Sequence, residues 1–154
     1  MKKSFVTFCF CLALVPAAAF AQGLDNTIEL LRSDIRTEKV ELLTDALKLT
    51  EAQTTTFWPI QREYETELAK LQDARIAMIK DYAQSYDTMD DAKAKSLMNQ
   101  AFKFQDDRSA LLKKYAGKVS KSVSPLVAAR FAQTEAFVQS LVDVQIRGEI
   151  PLVP

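Results

Sequence analysis

Between residues 92 and 130 the chain carries nine basic and two acidic side chains. Lys103, Lys114, Lys118 and Lys121 recur there at helical spacings. On a concave surface such a cluster attracts acidic or unfolded polypeptide at long range. Otherwise it is a solvated face that offsets opposite charge in a bundle or dimer. Residues 25–91 supply that opposite charge, with eight basic and 15 acidic groups. Trp58 is the single tryptophan and stands between Phe57 and Pro59. This group either forms a patch for a client or a second copy, or packs at a helix kink against the first or fourth helix. Asp87, Asp90 and Asp91 gather three carboxylates, a donor type suited to hard cations. Their spacing is not that of a calcium loop, and acids at a helix start are stabilising without any ion. No metal or cofactor is therefore assigned.

The sequence argues against catalysis. The chain contains no histidine, and Cys9 and Cys11 both lie near the N-terminus. The first 21 residues read as a cleaved signal peptide: Lys2 and Lys3, an apolar run from Phe5 to Val15, then Ala19-Phe20-Ala21. Pro16 interrupts the run, which is too short to span a bilayer, so no lasting membrane anchor is expected. A mature chain of residues 22–154 lacks cysteine, and with it any disulfide framework. It also lacks the usual general bases and nucleophiles, and no glycine-rich phosphate loop is present. It keeps 18 basic and 20 acidic groups, a net of −2, so nucleic acid is not an expected partner. The expected location is the periplasm.

The elements that position these residues are helices. The mature chain has few glycines and prolines, its apolar residues keep helical period, and no stretch alternates at period two. One all-α domain is expected, with helices at about 26–47, 50–84, 89–121 and 125–147. In the first, Ile28, Leu31, Ile35, Leu42 and Ala46 define a buried face widened by Leu43 and Leu47, with Lys39 among the outward charges. Thr50 and Gln53 form a capping box that starts the second, behind Leu49. Pro59 lies inside that helix and predicts a kink without a break. Thr88 with Asp91 opens the third, and Ser124-Pro125 opens the fourth. Val127, Phe131, Val138, Leu141 and Val142 carry the apolar period of the fourth. A helix of about 33 residues extends about 50 Å, so the expected shape is an elongated, bent hairpin with two broad faces. A second copy is expected to cover one of them.

The motif Leu49-Thr50-Glu51-Ala52-Gln53 resembles the LTxxQ signature of the Spy/CpxP-like periplasmic proteins. The likeness extends over secretion, mature length and helix number. Val123-Ser124-Pro125-Leu126-Val127 stands where relatives carry a second such motif, with Ser124 keeping the capping hydroxyl and Val127 replacing the glutamine. FWPIQREY, from Phe57 to Tyr64, is similar to segments of small bacterial envelope proteins related to this group. The resemblance implies a cradle-shaped homodimer that binds unfolded or partly folded envelope proteins without ATP. It also implies an alternative, a regulatory accessory protein that binds one folded, sensor-type partner. A structural subunit with no client is a third reading.

Overall fold

The computed structural model describes residues 39–154, which are all-α, with four helices and no strand. The expected signal peptide, and residues 26–38 of the expected first helix, lie outside the described residues. The helices are α1 (residues 39–47), α2 (Glu51–Ser85), α3 (Asp91–Ser122) and α4 (Pro125–Gly148). A short 3-10 turn, Tyr86–Thr88, joins α2 to α3.

Each start has a local cause. Thr50 Oγ1 accepts from the Gln53 amide at 3.3 Å, and Gln53 Oε1 accepts from the Thr50 amide at 3.0 Å. Two otherwise orphaned donors are thus satisfied at the head of α2. Ser124 Oγ accepts from the Val127 amide at 3.2 Å, with Pro125 at the first helical position of α4. The start of α3 differs from expectation. Its cap is Asp90, whose carboxylate accepts from the Lys93 amide at 2.7 Å. Thr88 instead donates to the Ser85 carbonyl at 3.4 Å and belongs to the connecting turn. The carboxylate ranks above threonine as a cap and moves the helix start along the chain.

α2 runs unbroken through Pro59 for 35 residues, a length of about 52 Å. The Thr55 carbonyl loses a partner there, but both residues are exposed and water can replace it. The end of α1 is more costly. Lys48, with φ of 48°, is the one non-glycine residue in the left-handed region among those described. It turns the chain from α1 into the Leu49-Thr50 cap of α2. A Cβ in that region costs about 1 kcal/mol. Lys48→Gly is expected to raise the thermal midpoint by about 2–4 °C, read by circular dichroism. An unchanged or lowered midpoint would contradict a strained turn.

α2 packs antiparallel along α3, and α3 along α4, while the α2 and α4 backbones stay apart. α1 is tied to both outer helices: Lys39 reaches Glu65 on α2 and Glu135 on α4, and Arg130 Nη1 donates to the Leu47 carbonyl at 3.1 Å. The main core lies at this end, around Leu43, Leu47, Phe57, Tyr64, Tyr115, Val119 and Phe131. Phe131 meets Phe57 and Tyr64 edge-on, with centroids 5.8 and 5.4 Å apart. A smaller cluster around Ile79 and Ile146 holds the other end.

The face of α1 is rotated from the expected one. Leu43 and Leu47 are fully buried, Leu42 is exposed, and Lys39 points inward. On α4, Leu141 is exposed, while Glu135 and Gln139 lie buried in the stripe with Phe131, Val138 and Ile146. The buried Lys39–Glu135 pair accounts for the inward turn of Lys39 and for a carboxylate inside the apolar stripe of α4.

Candidate functional site

The lysines of α3 are mostly matched. Lys114 Nζ lies 2.8 Å from Glu67 Oε2, and Lys118 pairs with Glu63, both acids on α2. Tyr115 also donates to Glu67 at 2.9 Å. The bonds from Lys114 and Tyr115 hold the Glu67 carboxyl below its ordinary range. Desolvation, together with the bond to Glu67, pushes the Tyr115 phenol up to about 12. Lys103 pairs within its own helix, with Asp107 at 2.7 Å. Lys121 is exposed and makes no ion pair among the described residues. The basic helix therefore offsets the acidic α2 in the same molecule. The signal is present in the sequence: Glu63 and Glu67 on one helix and Lys114 and Lys118 on the other are each four apart. They pair in reversed order, as antiparallel helices require.

Phe57 is wholly inside the core and has no surface to offer a partner. Trp58 is half-buried against that core and meets Phe57 edge-on at 5.3 Å. Leu49, Thr50, Gln53 and Ser124 serve the helix starts of α2 and α4. Among the described residues no cluster of acids, histidines or cysteines is arranged to hold a metal ion. No described helix is long and apolar enough to cross a membrane.

The exposed apolar surface lies elsewhere. Phe137, Leu141 and Val144 project from α4 at spacings of four and three, and are 56%, 51% and 72% exposed. Met98 and Phe102, four apart on α3, are also at least half exposed. These spacings place each set on one helical face.

Comparison with family models, with curated proteins and with solved structures matched this chain to none.

Two partly buried ionic clusters lie between the helices. In the first, Lys39 Nζ lies 2.6 Å from Glu65 Oε1 and 2.8 Å from Glu135 Oε2. Gln61 Nε2 donates to Glu65 Oε1 at 2.8 Å, and the Lys39 ammonium sits over the Tyr64 ring at 5.4 Å. Burial raises the Glu135 carboxyl above its ordinary value although Lys39 opposes the shift. Burial and the neighbouring Glu135 charge also raise the Tyr64 phenol. In the second, Asp143 receives both arms of Arg108 at 3.0 Å and Arg75 Nη1 at 2.8 Å. Both guanidinium groups lie over the Phe104 ring, at 5.1 and 5.2 Å. Burial would raise the Asp143 carboxyl, but the two arginines outweigh it and leave it lowered. Burial lowers the Arg75 guanidinium even beside Asp143. A half-open cavity of about 160 Å³ adjoins this cluster.

Proposed function

We propose that the chain is a non-enzymatic binding protein of the bacterial periplasm, of the Spy/CpxP-like type, that shields exposed apolar segments of envelope proteins. The observation that carries this reading is the apolar stripe Phe137, Leu141 and Val144 on α4, left open to solvent. Apolar area of this kind marks a surface for another chain. The secretion pattern at the N-terminus and the LTEAQ motif support the envelope class. Lys114 and Lys118 are matched by acids of α2, so capture rests first on apolar contact and less on charge steering. A homodimer belongs to the same reading, with a second copy covering part of the exposed apolar surface.

The test is suppression of aggregation of an unfolding client, monitored by light scattering. Stoichiometric protein is expected to suppress most of the scattering. The double variant Phe137→Lys, Leu141→Lys is expected to lose that suppression while keeping its melting temperature, because both side chains are more than half exposed. No suppression by the unaltered protein would sink the chaperone reading. Recovery of one dominant folded partner from envelope extract would favour the accessory-protein alternative.

A further inference from the structure

The cavity beside Asp143 has an unusual charge balance. Arg75 and Arg108 share the single carboxylate of Asp143, and Arg147 contributes a third guanidinium to the wall. Arg147 has no carboxylate partner among the described residues. Three positive groups around one negative leave an excess of two. Arg75 is 7% exposed and held by Asp143, whereas Arg147 is exposed at the rim and unpaired among the described residues. The rest of the wall is largely apolar, with Met78, Ile79, Phe104 and Ile150 facing the same space.

Ile150 is held in place through its C-terminal neighbours. The Tyr82 hydroxyl donates to the Pro151 carbonyl at 2.9 Å, and the Tyr86 hydroxyl to the Leu152 carbonyl at 3.0 Å. These bonds pin the segment after α4 to the end of α2. The apolar wall is therefore anchored at both helices.

We propose that this cavity binds a small amphipathic carboxylate, an acid group on an apolar body about the size of a benzene ring. Guanidinium forks recognise carboxylates by paired hydrogen bonds. Arg147 and the outer edge of Arg108 supply that end, and Phe104, Ile79 and Ile150 line the space for the apolar body. The volume of about 160 Å³ suits one such ring, since cavities near that size hold benzene. The Asp143 carboxylate stays with Arg75 and fixes both arginines in position. This site uses other side chains than the α4 stripe, so its test is independent of chaperone activity.

The probe is benzoate, titrated into the mature protein and monitored by methyl and arginine side-chain NMR. Benzyl alcohol supplies the ring without the charge, and acetate the charge without the ring. Saturable binding of benzoate is expected, with the largest shifts at Met78, Ile79 and Ile150. Both controls are expected to bind at least about tenfold more weakly. Arg147→Ala is expected to weaken benzoate about tenfold and leave the melting temperature unchanged, because Arg147 is exposed. The proposal is overturned if benzoate does not saturate, if either control matches it, if the shifts fall elsewhere, or if Arg147→Ala binds as before.

Discussion

Lys39→Met is expected to cost about 3–5 kcal/mol of folding stability at neutral pH, measured by urea denaturation. The side chain is 5% exposed and its ammonium lies between Glu65 and Glu135. Removing it leaves two carboxylates facing each other, one of them, Glu135, with no exposed surface. Desolvation without a counter-charge is the expensive case, whereas replacing a whole pair is often neutral. The double variant Lys39→Met, Glu135→Gln keeps an acceptor near Gln61 and Tyr64 and removes the stranded charge. It is expected to recover at least about 2 kcal/mol of the loss. A single variant within about 1 kcal/mol of the parent would show that α1 is not held by this pair.

The penalty should also depend on pH, with a defined sign. The folded Glu135 carboxyl titrates above its ordinary value of 4.5, and Lys39 opposes that shift. Without Lys39 the folded state binds its proton still more readily than the unfolded chain. Stability of Lys39→Met should therefore fall as pH rises from about the ordinary glutamate value through the raised one. Asp143 has the opposite sign. Its folded carboxyl is lowered from 3.8, so its contribution is present above that value and fades as pH falls through the lowered one. The variant is thus expected to lie closest to the parent at acid pH, where Glu135 is protonated in both, while the Asp143 contribution is common to both and cancels in the difference.

The helical plan is legible because local chemistry writes it directly. Thr50 with Gln53, and Ser124 with Pro125, are signals that act within one turn, and the structure uses both. Asp90 is hidden in the sequence because Thr88 and Asp91 offer a competing box of the right spacing. The interior is less legible where it is charged. Glu135 lies four residues after Phe131 and three before Val138, squarely in the apolar stripe of α4. Arg75 lies four before Ile79 on α2. Each is a charge at a core position, but only a partner on another helix explains it, and no local pattern names that partner. The surface misleads for the reverse reason. Leu42 and Leu141 are apolar and count as inward by type, whereas the helix faces are set by the buried ions as well as by leucines. Phe57 shows the limit for sites: an aromatic beside Trp58 fits a patch or a core equally well until packing decides, and packing puts it in the core.

Two phenylalanines of α4, six residues apart, make that distinction measurable. Phe131→Ala is expected to cost about 3–5 kcal/mol, and Phe137→Ala less than about 0.5 kcal/mol. Phe131 has no exposed surface, and its ring meets Phe57 and Tyr64 edge-on. Truncation removes the transfer energy of the ring, both aromatic contacts and the packing between α2 and α4, and leaves a cavity that the long helices cannot collapse. Against a total stability of about 5–15 kcal/mol for a domain, that loss threatens the fold. Phe131→Leu keeps most of the volume and is expected to cost about half as much. Phe137 is 56% exposed and loses little on truncation. Paired urea midpoints decide the point, since both variants change the same residue type on the same helix. Equal costs would mean that α4 does not present Phe131 to the core and Phe137 to solvent, and the stripe proposed for client binding would lose its basis along with the core.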